Sequence, residues 1–252
     1  MTLGALGRLV AAAALTACAS AGIAAQTETP ETVTIFSAGS LRGVVAELAA
    51  QVGLVYHIRI EPTFGGSGAL RERIEHGTHA DLLLSADVGS PRKLEGEGRT
   101  VVPALAFARN RICIVAPRSE GVTTDNLVDR MLAPGTRTWT STPVVDPGGD
   151  YAAAIFDKIN ALHPGAGASL KARAKAVRDA TAREAPGPNH FATLFAEHRI
   201  DLLVTYCSGV PKLEQQDPAL ASLRIPPGLD PHPSMAWRCC RISPRCCASR
   251  CT

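Results

Sequence analysis

From Thr32 onward the chain alternates short apolar runs with amphipathic stretches, which restricts it to α/β folds made of strand–helix units on a largely parallel sheet. Val33-Thr34-Ile35-Phe36 reads as a buried strand, followed by the turn Ser37-Ala38-Gly39-Ser40. Leu41 to Val52 then carries Leu41, Val44, Val45 and Leu48 at helical spacing. A second strand from Tyr56 to Phe64 runs into Gly65-Gly66-Ser67-Gly68, and Ala69 to His76 reads as a helix. Asp81 to Asp87 opens a third unit.

Arg111 to Pro117 reads as a further strand that ends at a proline, and the polar segment Arg118 to Asp125 after it reads as a crossing into a second lobe. That lobe repeats the grammar: a strand near Arg137 to Thr140, a Pro/Gly-rich turn at Pro143 to Gly149, and helices over Tyr151–Leu162, Lys171–Arg183 and Phe191–His198. A strand at Ile200 to Tyr206 follows, and Leu223 to Pro226 reads as the return crossing. The expected layout is one lobe from residues 30–116 and 225–236 and another from 117–224, hinged about a cleft.

The 252 residues are 46% hydrophobic and 19% charged, with a formal charge of +3. That balance gives no basic surface for nucleic acid. Residues 1–25 differ from the rest: Arg8 precedes an apolar run from Leu9 to Ala17, and no acidic residue occurs before Glu28. This is the pattern of a secretory signal, so the mature protein is expected to be exported. Leu15-Thr16-Ala17-Cys18 fits a lipoprotein signal with Cys18 lipidated, and cleavage near Ala24 and Ala25 is the rival reading.

Eight cysteines in an exported chain suggest disulfides, but their distribution does not. Cys18 belongs to the leader, Cys113 and Cys207 sit alone in apolar runs, and five crowd into the last fourteen residues. Residues 237–252 show no strand or helix period and no zinc-site spacing, so they read as an atypical tail, disordered or produced by a frameshift.

The loops Ser37–Ser40 and Gly65–Gly68 carry the chemistry, because both lie between the carboxyl end of a strand and the start of a helix, where open parallel sheets bind ligands. Ser40 and Ser67 stand where helix N-caps are expected, so hydroxyls, main-chain N–H groups and the helix dipole would converge on an anion. Neither loop contains a lysine or arginine. Neutral donors suit a fully ionised anion in a dry cleft, whereas phosphate, partly protonated near neutral pH, would favour an added carboxylate acceptor.

With these residues the chain resembles the periplasmic molybdate-binding proteins of ABC transporters and their tungstate-binding relatives. The resemblance runs through Phe36-Ser37-Ala38-Gly39-Ser40-Leu41, Phe64-Gly65-Gly66-Ser67-Gly68-Ala69-Leu70, Ala80 to Asp87, Asp146-Pro147-Gly148-Gly149-Asp150-Tyr151-Ala152 and Val204-Thr205-Tyr206-Cys207. It implies a two-lobed periplasmic binding protein fold of type II, with a mostly parallel sheet in each lobe. It also implies a monomer that captures molybdate or tungstate without a cofactor and hands it to an inner-membrane permease. The family's binding positions fall on the hydroxyls of Ser40, Ser67 and Tyr206 and the amide of Gly148, with a further amide near Asn189. Asp87 would be a structural cap. Asp150 would repel an anion if it faced inward, so it is expected to face solvent or a cation. The family continues past Leu229-Asp230-Pro231 into a closing strand and helices, where this chain has its cysteine-rich tail, which leaves apolar surface of the first lobe uncovered.

Two other readings compete. Sulfate shares the shape and charge of molybdate and differs mainly in size. Gly65-Gly66-Ser67-Gly68-Ala69 also resembles a nucleophile elbow, which would make Ser67 a hydrolase nucleophile with His190 or His232 as base and Asp146 or Asp201 orienting it. Ferric iron is disfavoured because Tyr56, Tyr151 and Tyr206 are too scattered to pair.

Overall fold

The structure is a computed structural model that describes residues 30–182 and 189–239. The chain runs β1 (Glu31–Ala38), α1 (Arg42–Tyr56), β2 (Ile58–Gly65), α2 (Ser67–Glu75), β3 (Leu82–Ser85), α3 (Gly89–Gly96) and β4 (Leu105–Arg109). It continues through β5 (Ile112–Pro117), α4 (Leu127–Leu132), β6 (Thr138–Trp139), α5 (Pro147–Leu162), α6 (Ala166–Thr181) and α7 (His190–Ala196). β7 (Leu202–Tyr206), α8 (Val210–Gln216), β8 (Leu220–Arg224) and β9 (Ser234–Cys239) complete it.

Among the described residues nine strands form two sheets, in the orders β2-β1-β3-β9-β4 and β6-β7-β5-β8. The expected two α/β lobes are present, but each sheet is mixed rather than mostly parallel. In the first, β9 alone runs against its neighbours β3 and β4, and in the second β5 alone runs against β7 and β8. The reversed strand in each sheet is the one that enters directly after the chain has crossed from the other lobe.

Both crossings therefore lie elsewhere than the sequence suggests. β5 belongs to the second lobe, so the first crossing is at Asn110–Arg111 and not after Pro117. The proline marks the end of a strand without marking the end of a lobe. Ile112, Ile114 and Ala116 of β5 pack with Phe156 and Leu170 on one face, while Cys113 and Val115 pack with Leu194 and Leu213 on the other. A continuous apolar run buried on both faces is what a central strand requires. Ile225 and Leu229 still belong to the second lobe's core, which puts the return crossing at 230–233. There Asn110 N–H donates to the Pro233 carbonyl at 3.1 Å, tying the two crossing segments together.

Two further expectations are corrected. Trp237, with the backbone of Arg238 and Cys239, is part of β9 rather than of a tail, its register set by pairing with Leu82–Ser85 on one side and Leu105–Arg109 on the other. Residues 240–252, like the signal region and Cys18, lie outside the described residues. Cys113 and Cys207 do not stand alone: their positions on the paired strand β5 and at the end of β7 bring the sulfurs together in a disulfide across 94 residues.

The first lobe's core falls into two clusters, one containing Phe36, Leu70, Ile74 and Leu94 and the other Ala38, Leu41, Val45 and Met235. Several apolar side chains of this lobe face outward. Val44, Leu54 and Val55 of α1 and Leu105 and Phe107 of the edge strand β4 are exposed.

Candidate ligand-binding cleft

The carboxyl ends of β1, β2 and β7 and the amino end of α5 converge on a cleft of about 380 Å³ between the lobes. Ser40, Ser67, Gly148 and Tyr206 all line it, from four separate stretches of the sequence. Neither serine is the N-cap it was read as. Ser40 lies inside the short 3₁₀ turn Gly39–Leu41 that precedes α1, and Ser67 is the first residue of α2, with Gly66 as the cap. The consequence for chemistry is favourable, because neither hydroxyl is spent on capping its own helix.

Ser67 is fully buried, and its Oγ accepts the Ala86 N–H at 3.0 Å. With a lone pair committed there, the hydroxyl proton is left to donate elsewhere. Ser40 Oγ and Tyr206 OH are buried with no hydrogen-bond partner among the described residues. Burial, with the nearby carboxylates of Asp146, Asp87 and Asp150 and the Tyr151 hydroxyl, pushes the Tyr206 phenol far above its ordinary pKa and keeps it a donor. Buried hydroxyls are paired in most proteins, so two orphans on residues that line one cleft are what a ligand site would supply.

Gly148 reaches the cleft, but its amide is occupied. Asp146 is the N-cap of α5, Pro147 follows at the first helical position, and the Asp146 Oδ1 accepts the Gly148 N–H at 2.8 Å. Asp146 thereby brings a carboxyl into the cleft lining, which otherwise contains no charged side chain among the described residues. Burial raises its pKa, Asp150 and Asp87 raise it further, and the Gly148 amide and Ser141 hydroxyl pull the other way. The sequence reading used Asp146 only as a partner for a catalytic histidine. The Asp-Pro-Gly-Gly signature of a capped helix start could have placed it here.

Asn189 is exposed at the start of α7 and is absent from the cleft lining, whereas Phe191, two residues later, is present. Phe191 packs edge-on against Trp139, with ring centroids 4.7 Å apart, and the pair forms an apolar wall that the sequence reading missed. The preceding residues Pro186-Gly187-Pro188 lie outside the described residues.

Asp150 turns away from the cleft. Exposed, it accepts the Val144 N–H at 2.9 Å and so holds Val144 at a φ of 70°, a left-handed conformation that a β-branched residue adopts only under constraint. That constraint aims the Val144 and Val145 carbonyls at the facing lobe. Ala69 N–H donates to the Val145 carbonyl at 3.1 Å, and a Cβ on Gly66 would come within 2.3 Å of that same oxygen. Across the same opening, Tyr151 OH donates to the Ala86 carbonyl at 3.4 Å. Asp87 is a structural cap, accepting from Ser85 Oγ at 2.5 Å and Ser90 N–H at 2.8 Å.

The hydrolase arrangement does not form. His190 packs edge-on against Phe191, His232 is exposed beside Asp230, and Asp201 is engaged by Arg137. Among the described residues no histidine is hydrogen-bonded to Ser67, no His/Cys/Asp/Glu group could hold a metal ion, and no helix is long and apolar enough to cross a membrane.

The sequence model of one family, Bacterial extracellular solute-binding protein, matches residues 33–242. The chain belongs to this family. The solute-binding protein is 33% identical over 184 residues to an uncharacterized protein of Pasteurella multocida (strain Pm70), covering 72% of this chain and 76% of the relative. In fold it is similar to the periplasmic molybdate-binding protein of Azotobacter vinelandii, with a TM-score of 0.61 at 16% identity over 84% of this chain and 87% of that one. It is likewise similar to the sulfate-binding protein SubI of Mycobacterium tuberculosis H37Rv, with a TM-score of 0.65 at 14% identity over 85% and 77% of the two chains. The type II periplasmic binding fold follows from these structural likenesses, and the role of an extracellular solute-binding protein follows from the family.

Proposed function

We propose that the protein captures a tetrahedral oxyanion of the molybdate or tungstate type and delivers it to an ABC importer, acting as a carrier and not as an enzyme. The observation that carries this reading is the pair of orphaned hydroxyls, Ser40 Oγ and Tyr206 OH, buried in the cleft that Ser67 also lines. Ser40 and Ser67 belong to the first lobe and Tyr206 to the second, so an anion between them draws both lobes together. No covalent step or cofactor enters: uncharged donors replace the ligand's water, and reopening at the permease releases it.

A sulfate ligand is the second reading, because the cleft of about 380 Å³ leaves room for tetrahedral anions of either size and the same uncharged donors suit both. Titration calorimetry with molybdate, tungstate and sulfate on the mature protein tests both. Ser40→Ala and Ser67→Ala are each expected to weaken binding by about 1.5–3 kcal/mol, the worth of one hydrogen bond to a charged group. Unchanged affinity in both variants would remove the site assignment.

A further inference from the structure

We infer that Asp146 and the bound oxyanion hold one proton between them, so that capture of a fully ionised tetrahedral anion takes up a proton from solvent onto this carboxyl. The inference rests on the oxyanion reading of the cleft and goes beyond it by naming the residue that sets which protonation state binds.

The geometry leaves little choice. Asp146 lines the cleft together with the three hydroxyls assigned to the ligand, and its Oδ1 is fixed by the Gly148 N–H at 2.8 Å. A point one bond out from the Gly148 α-carbon lies 3.3 Å from Asp146 Oδ1, 3.4 Å from Ser141 Oγ and 3.4 Å from the Tyr206 ring. The carboxyl, the Ser141 hydroxyl and the Tyr206 side chain are therefore gathered around one spot. No lysine, arginine or histidine is among the lining residues to neutralise a carboxylate.

The charged groups that act on Asp146 make matters worse for a second anion: Asp150 on its own helix and Asp87 from the facing lobe are both acidic. Tyr151 and Tyr206 stay protonated, their phenols raised first of all by burial. Only the Gly148 amide and the Ser141 hydroxyl favour the ionised carboxyl, and burial outweighs them. A dianion set beside an ionised Asp146 would meet uncompensated like charge in a desolvated cleft. A neutral Asp146 instead offers an O–H donor to a ligand oxygen, a short charge-assisted hydrogen bond. The proton moves from solvent to the carboxyl and no covalent bond in the ligand changes. An anion that carries its own proton, such as hydrogen phosphate, reaches the same O–H···O pair by donating to the ionised carboxylate.

Calorimetric titration of molybdate, tungstate and sulfate in buffers of different ionisation enthalpy, from about pH 5.5 to about pH 8, counts the protons. The expected result is uptake approaching one proton per anion, with Kd rising about tenfold per pH unit above the pKa of Asp146 in the free protein. Phosphate, titrated at the upper end of that range, is expected to bind with little or no net uptake. Asp146→Asn keeps an acceptor for the Gly148 N–H and removes the titration. Its Kd for molybdate is expected to be flat with pH and lower than wild type at the alkaline end. Molybdate binding without proton uptake in the wild-type protein overturns the inference and leaves the oxyanion reading standing, and so does undiminished uptake in Asp146→Asn. The wild-type count decides the matter even where the variant fails to fold. No heat from any of these anions at any pH overturns both.

Discussion

The α-carbon of Gly68 faces the Val144 carbonyl so closely that a methyl group built on it would stand 1.7 Å from that oxygen. The two residues belong to different lobes, so only a hydrogen at position 68 permits the approach. Gly68→Ala is expected to leave the open form intact, since alanine is the better helix former within α2. Closure should suffer, weakening oxyanion affinity by tenfold or more. Calorimetry paired with small-angle scattering checks this: the variant should stay extended on adding ligand. Wild-type compaction and affinity in Gly68→Ala would mean that the lobes do not meet along this contact.

Tyr206→Phe should separate ligand binding from stability. The ring packs edge-on to Tyr151, with centroids 6.3 Å apart, and contacts both lobes' cores, all of which phenylalanine retains. What is lost is a buried hydroxyl without a partner. The ligand-free variant is expected to be as stable as the wild type or more stable by about 1 kcal/mol, while anion affinity falls. Urea unfolding with and without ligand reads both effects. A ligand-free variant that unfolds markedly earlier would show that the hydroxyl already has a structural partner.

The Cys113–Cys207 bridge ties β5 to the segment immediately after Tyr206, a cleft residue. Replacing both cysteines with alanine, or reducing the bridge, is expected to lower the stability of the second lobe by about 2–4 kcal/mol. Thermal unfolding with and without reductant measures it. Identical transitions in both conditions would show that the two thiols are not joined.

Much of this molecule can be read from its sequence, and the parts that cannot have common physical causes. The runs at Val33–Phe36 and Leu82–Leu84 are strands because short, mainly apolar runs bounded by turn residues have few other stable fates. Ser40, Ser67, Gly148 and Tyr206 line one cleft because each lies at or just after the carboxyl end of a strand or in the first turn of a helix. Asn189 does not join them: it is the exposed residue just before α7, and the proline-rich sequence ahead of it obscured where that helix begins and hence which of its residues reaches the cleft. The lobe boundary was misplaced because Ile112–Pro117 looks the same in either sheet: local pattern sets that it is a strand, and only long-range pairing with β7 and β8 sets where it goes. The same holds for the Cys113–Cys207 pairing, and for Trp237, Arg238 and Cys239, whose alternation was masked by the unusual composition around them. Asp146 was read as a partner for a catalytic histidine and not as a cleft residue, because its place depends on what lies opposite the start of α5.

The place of β9 has a consequence for how such a chain matures. Its seat lies between β3 and β4, yet the whole second lobe is synthesised before the strand that fills it. Until Ser234–Cys239 emerge, β3 and β4 flank a gap and present bare hydrogen-bonding edges. The half of the molecule that leaves the ribosome first is thus the half that finishes last. It stays open until its final strand arrives.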